Sequence, residues 1–198
     1  MNLPIEVGIT GGIGSGKSLV CRIFQCLGAP IYDADSRAKN LMTTDGILIE
    51  EIKKEFGSLS YQPDGSLDRA YLGKLVFQDH LRLEKLNSLV HPRVAMDYQL
   101  WVSAHKENKY LIREAALLFE TGSYKAMGKM VVVFAPENIR MKRVRDRDPH
   151  RKENEIVAIM KSQWPDEEKI RMADYVIHND DRQLVIPQVL HLHNKFVS

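Results

Sequence analysis

Ile5-Glu6-Val7-Gly8-Ile9-Thr10-Gly11-Gly12-Ile13-Gly14-Ser15-Gly16-Lys17-Ser18 lies near the N-terminus, and the fold class follows from how it is read. Residues 5–10 are a short, mostly apolar run that suits a strand. Residues 11–18 match Gly-x-x-x-x-Gly-Lys-Ser/Thr. From Ser18 to Leu27, apolar side chains recur at Leu19, Ile23, Phe24 and Leu27, a helical spacing. Strand, glycine loop and helix together make an anion cradle. Glycines allow backbone N–H groups to converge, the helix N-terminus adds partial positive charge, and Lys17 is long enough to reach outer phosphates. Ser18 offers a hydroxyl to Mg2+. The pattern predicts a binding site for a nucleoside triphosphate.

Working outward, the 198 residues suit one domain with room for an inserted subdomain. A hydrophobic fraction of 44% with 27% charged residues is that of an ordinary soluble globular chain. The formal net charge of +2 supplies no global field for nucleic acid or an anionic membrane. Both cysteines, Cys21 and Cys26, fall on the helix after the loop, on different faces, and read as reduced thiols of a cytoplasmic protein. Residues 1–4 run straight into the first strand and leave no room for a signal peptide, and no uncharged apolar run approaches membrane-spanning length.

Further strands are expected at Ala29-Pro30-Ile31-Tyr32, Tyr110-Leu111-Ile112, Met130 to Phe134 and Tyr175-Val176-Ile177. Near-continuous apolar runs beside helical patterns belong to a parallel sheet covered on both faces, an α/β architecture. Between Tyr32 and Tyr110 only helical patterns occur, broken at Gly57-Ser58 and Pro63-Asp64-Gly65. Ile47, Ile52 and Phe56 mark one helix, and Tyr71, Leu72, Leu75 and Val76 another. A long third helix runs from Leu81 to about His105, with Pro92 expected to kink or restart it. The stretch is too long for a simple crossover and reads as a helical insertion. The division expected is a core of 1–38, 107–140 and 168–198, an insertion of 39–106 and a lid of 141–167.

Asp33 and Asp35 follow the second strand. In an open parallel sheet, ligands gather outside the carboxyl ends of the strands. Phosphoryl transfer to an alcohol needs a carboxylate within reach of the attacking hydroxyl, and Asp33 suits that role. Asp35 better suits a helix cap. Arg140, Lys142, Arg143, Arg145, Arg147, Arg151 and Lys152 cluster with Asp146 and Asp148 between them. The cluster lacks interleaved aromatics and is diluted by acids, which argues against a nucleic-acid surface. Arg147 and Arg151 instead read as guanidinium groups of a lid closing over phosphates. Glu114 and Glu120 flank Ala115-Ala116-Leu117-Leu118-Phe119, where one of them can stand at a strand end near the metal, or the segment can be packing. No His or Cys pair has zinc-ligand spacing.

Taken in order, these segments resemble the dephospho-CoA kinase family. The matching residues are Ile9 to Ser18, then Asp33-Ala34-Asp35, Leu86-Asn87-Ser88-Leu89-Val90-His91-Pro92, Leu117-Leu118-Phe119-Glu120, Arg147-Asp148 with Arg151, and Ala173-Asp174-Tyr175-Val176-Ile177 with Asn179. The resemblance implies a P-loop, nucleoside-monophosphate-kinase-like sheet and ATP-dependent phosphorylation of the ribose 3′-hydroxyl of dephospho-CoA, with ATP and Mg2+ as the implied cofactors. It implies that Gly12, Gly14, Ser15, Gly16, Lys17, Ser18 and Leu19 bind the nucleotide with Arg147, Arg151 and Asn179, the last near adenine. It further implies Asp33 as the base and a CoA-binding insertion around His91, with Leu117 also facing the acceptor. Lys17, Asp33 and Arg147 are the implied catalytic set, and Ser18 the metal ligand. Three positions depart from the family pattern: Leu19 for threonine, Ala116 for proline and His178 for aspartate. A nucleoside or nucleotide kinase would share the core and the loop. A regulatory GTPase-like switch is disfavoured, since the chain has neither Asp-x-x-Gly nor Asn-Lys-x-Asp.

Overall fold

In the computed structural model, which describes residues 3–77 and 79–198, five strands form one parallel sheet. They are β1 (Ile5–Thr10), β2 (Ile31–Asp33), β3 (Tyr110–Glu114), β4 (Lys129–Phe134) and β5 (Tyr175–His178), in the spatial order β2-β3-β1-β4-β5. The glycine loop therefore leaves the central strand, and α1 (Lys17–Cys26) follows it. Side chains alternate across the sheet. Val7, Ile9, Ile112, Val131, Val133 and Ile177 form one face, covered by Val20, Cys21 and Phe24 of α1 and by Val189, Leu192 and Phe196 of α9 (Val185–Val197). Phe24, Tyr110 and Phe196 form an aromatic cluster there, with Tyr110 and Phe196 centroids 5.3 Å apart. Gly8 points to the other face, where a Cβ would sit 2.6 Å from the Met130 sulfur and 3.1 Å from Leu118.

The chain divides into two compact units, one of residues 1–33 with 105–198 and one of residues 34–104. The second holds α2 (Ala34–Thr44), α3 (Gly46–Phe56), α4 (Arg69–Phe77) and α5 (His80–Ala104). Its core is Leu48, Ile52 and Phe56 with Leu72, Val90, Val94 and Tyr98. The Gly57-Ser58 break is the end of α3, and Pro63-Asp64-Gly65 is a turn closed by a single Tyr61–Leu67 bridge. Pro92 does not restart α5, which is one continuous helix of 25 residues. Pro92 is exposed, so water can take up the backbone carbonyl its ring leaves without a donor. Asp35 lies inside the first turn of α2, complementing the helix dipole, and is not its cap.

Asp45 ties α3 to α5 in the helical unit. It caps α3 by accepting from the Ile47 and Leu48 N–H groups at 3.0 and 3.1 Å, and it accepts from Arg93 Nε of α5 at 2.6 Å. Burial works to raise its pKa, but the Leu48 N–H, the Arg93 guanidinium and the Ile47 N–H outweigh it and hold the carboxyl below its ordinary 3.8. Asp45→Ala is expected to cost about 2–3 kcal/mol in denaturant unfolding, the sum of a cap and a charged hydrogen bond. A depressed carboxyl pKa stabilises above the unfolded value, so this difference should be full near neutrality and shrink as pH falls below 3.8.

In the first unit, α6 (Glu137–Arg147), α7 (Glu153–Ser162) and α8 (Asp166–Met172) connect β4 to β5. Among the described residues, no helix is long and apolar enough to cross a membrane.

Candidate active site

Residues 11–18 bend sharply between β1 and α1. Gly14 and Gly16 have φ of +79° and +94°, a left-handed backbone that favours glycine, and Gly16 is the N-cap of α1. Ser15 N–H donates to the Gly12 carbonyl at 3.1 Å, closing the turn. Lys17 Nζ folds back over the loop, 2.8 Å from the Gly11 carbonyl and 3.5 Å from that of Gly12. Glycines are also needed because neighbours press directly on the loop. A Cβ at Gly12 would strike the Arg140 guanidinium, and one at Gly16 the Asn179 side-chain amide.

Arg140, to which the sequence assigns no role of its own, is buried beneath the loop. It donates to the Ala135 carbonyl at 3.0 Å and to Asp166 at 2.8 Å, and reaches the Ile13 carbonyl at 3.5 Å. It thus ties α6 and α8 to the phosphate loop. Arg143, one turn on, donates to the Asn179 carbonyl at 3.0 Å and to Asp181 at 2.7 Å. Asp181 has φ of +63°, an uncommon conformation for a residue with a side chain. Asn179 itself is buried, its amide donating to the Ser15 carbonyl at 2.8 Å, so that side chain braces the loop.

Asp33 ends β2 and Glu114 ends β3, and the two are direct cross-strand partners on one face of the sheet. Glu114 in turn lies beside Ile9 of β1. Ser18 Oγ donates to Glu114 Oε1 at 3.0 Å. Two carboxylates and the Ser18 hydroxyl therefore gather at the carboxyl edge of the sheet, next to the glycine loop. Burial pushes the Cys21 thiol up, and the Glu114 carboxylate beside it pushes the same way. Glu120 plays a different part. It accepts from the Trp164 N–H at 2.8 Å and faces the fully buried Lys169 amine at 3.4 Å, a packing role in the first unit. The open choice between Glu114 and Glu120 is thus resolved by position: Glu114 stands at the strand end.

Arg147 and Arg151 sit at and beyond the end of α6. Arg147 makes a two-point contact with Asp148, at 3.1 and 2.8 Å, and Arg151 lies 3.7 Å from the same carboxylate. The Arg147 hydrogen bond and the neighbouring guanidinium charges hold Asp148 below the usual carboxylate range. Leu19 and Leu117 are exposed, one in the first turn of α1 and one after β3. His91 is exposed on α5 of the helical unit. His178, the third departure from the family pattern, ends β5 with its ring edge-on to Phe134 at 5.7 Å.

A family profile described as dephospho-CoA kinase matches residues 5–184. The chain belongs to the dephospho-CoA kinase family. The dephospho-CoA kinase of Chlorobium chlorochromatii is 39% identical over 184 residues, covering 90% of this chain and 86% of that protein. Among solved structures, a protein from Thermus thermophilus superposes with a TM-score of 0.87 at 32% identity, covering all of both chains. The dephospho-CoA kinase from Campylobacter jejuni gives 0.72 at 26% identity over 97% of this chain and 96% of its own. Family membership makes the five-stranded sheet a P-loop kinase core and the activity that of an ATP-dependent phosphotransferase.

Proposed function

We propose that this enzyme transfers the γ-phosphoryl group of ATP to the ribose 3′-hydroxyl of dephospho-CoA, giving CoA and ADP, with Asp33 as the general base. The observation that carries the assignment of Asp33 is its register opposite Glu114, at the strand end where Ser18 of the phosphate loop is also held. Lys17 and the loop N–H groups other than those of Ile13 and Ser15, which donate to Gln163 and to the Gly12 carbonyl, hold the β- and γ-phosphates. Lys17 gives up its bonds to the Gly11 and Gly12 carbonyls to do so. Asp33 orients the ribose hydroxyl for in-line attack and takes its proton at a carboxylate oxygen. Arg147 and Arg151 exchange the shared Asp148 carboxylate for phosphate oxygens, stabilise the charge of the transition state and help exclude water.

Among the described residues, no cluster of three or more His, Cys, Asp or Glu is arranged to hold a metal. Mg2+ does not need one, because it keeps several waters and takes the rest of its shell from one or two protein oxygens and the nucleotide. The all-oxygen pair of Ser18 and Glu114 fits that demand, and these two residues would hold it. When bound, Mg2+ neutralises phosphate charge. Leu19 and the Asn179 region would line the nucleotide, and Leu117 would face the acceptor. The stretch from residue 141 to residue 162, which carries Arg147 and Arg151, would act as the lid, while Gln163, Trp164 and Asp166, tied to Ile13, Glu120 and Arg140, stay with the loop. An enzyme acting on these substrates would work in the cytoplasm.

The test is to incubate the protein with Mg-ATP and a panel of acceptors and to follow ADP release and product mass. ADP release with dephospho-CoA, accompanied by a product heavier by one phosphoryl group, is expected. Turnover only with a nucleoside or nucleoside monophosphate would overturn the acceptor assignment.

A further inference from the structure

At the elbow between α7 and α8, the Gln163 side chain reaches the tip of the phosphate loop. Its Oε1 accepts from the Ile13 N–H at 2.8 Å, and its Nε2 donates to the Ala116 carbonyl at 3.5 Å. The side chain is almost wholly buried. Its two ends are not interchangeable, since the reversed amide would set a donor against the Ile13 N–H. On the far side of the same peptide bond, the Gly12 carbonyl accepts from Ser15 N–H at 3.1 Å and lies 3.5 Å from Lys17 Nζ. The Gly12–Ile13 peptide is therefore held from both ends, by the loop itself at the carbonyl and by Gln163 at the N–H.

That second hold matters because glycine flanks the peptide. Flipping this plane turns ψ of Gly12 together with φ of Ile13, and with no Cβ Gly12 opposes its share of the rotation little. A flipped plane would break the Ser15 bond that closes the turn and remove one of the two carbonyls on which Lys17 rests. The elbow is a firm base for such a tether. Trp164, the next residue, donates its N–H to Glu120 at 2.8 Å and stacks on Phe119 with centroids 5.9 Å apart and planes 15° from parallel. The Ala116 carbonyl that Gln163 grips is also bound by Thr10 Oγ1, at 3.3 Å, at the end of β1.

We infer that Gln163 is a positioning residue for ATP: it locks the Gly12–Ile13 peptide and so holds the phosphate loop in its binding geometry before the nucleotide arrives. The inference rests on the reading of residues 11–18 as the triphosphate site. It does not depend on the identity of the acceptor. Gln163 need touch no phosphate, because it acts only through the loop.

The experiment uses the full chain without any acceptor. Gln163→Met keeps the side-chain length and removes both hydrogen bonds, whereas Gln163→Glu keeps an acceptor for Ile13 and loses the donor to Ala116. Calorimetric titration with the magnesium complex of a non-hydrolysable ATP analogue measures affinity, and the amide proton of Ile13 is followed by NMR. Gln163→Met is expected to raise Kd about tenfold, the scale of one lost buried hydrogen bond, and to abolish the downfield shift and slow exchange of the Ile13 amide. Gln163→Glu should retain the Ile13 signature and recover most of the affinity. A Gln163→Met protein with a lowered Tm but unchanged Kd would make Gln163 a packing residue and overturn the inference. Failure of the wild-type protein to bind the analogue would instead overturn the triphosphate site itself.

Discussion

Asp33→Asn is expected to lower kcat by about a hundredfold or more, the usual scale for losing a general base, while ATP binding stays within about threefold. The substitution keeps the shape of the side chain and its capacity to orient a hydroxyl, but an amide cannot take the proton. Nucleotide binding should survive because residues 11–18 and α1 are built on β1, two strands away from β2 in the sheet. Steady-state turnover with dephospho-CoA, set beside calorimetric titration with an ATP analogue, separates the two effects. Full turnover in the variant would remove Asp33 from the chemistry and move attention to Glu114, its cross-strand partner.

Gly14→Ala should destabilise the protein by about 3 kcal/mol and weaken ATP binding about a hundredfold. Two costs combine. The backbone at φ +79° charges any L side chain about 1–2 kcal/mol. The new Cβ would also lie 2.5 Å from the Arg140 carbonyl oxygen and 2.9 Å from Val144 Cγ2. Backbone oxygen cannot step aside as a flexible side chain can, so either α6 or the loop must shift, an overpacking cost of about 1–3 kcal/mol. Gly28→Ala is the internal control. Gly28 has a similar φ of +89°, but a Cβ added there would meet nothing within 4 Å, so it should show the backbone cost alone and normal ATP affinity. Denaturant unfolding and analogue titration of both variants check this. Equal, small effects in the two would show that the packing of α6 on the loop is slack.

Much of the molecule is legible from residue patterns because the governing physics is local. The strand–loop–helix at residues 5–27 and the apolar runs of β3, β4 and β5 need only hydrophobic periodicity and glycine chemistry. The helices of residues 34–104 follow from spacing and from breaks at Gly57 and Pro63 to Gly65. Helix α9 carries a readable signal, Val185, Val189, Leu192 and Phe196 at helical intervals, though no element was expected there. Other features are long-range and leave no local trace. Nothing near Arg140 distinguishes it from its exposed neighbours, yet it is buried because Gly12, more than a hundred residues earlier, leaves space for its guanidinium. The bracing of Ser15 by the Asn179 amide and the tie from Gln163 to Ile13 likewise give no sign in the residues around them. Glu114 and Glu120 become distinguishable only through strand register and the contacts of Trp164.

The division of the chain into one continuous and one discontinuous unit has a consequence for the order of folding. Residues 34–104 are contiguous, so every internal contact of that unit is available once residue 104 has been synthesised. The sheet has no such early option. Its central pairing sets Ile5 beside Tyr110, and β4 joins β1 later still, so β1 and the phosphate loop wait without partners while the intervening helices emerge. Loop closure over that span is entropically costly and slow, which makes the sheet the late event. A nascent chain can thus hold a formed helical unit while the nucleotide site does not yet exist, and ATP can stabilise only the finished molecule.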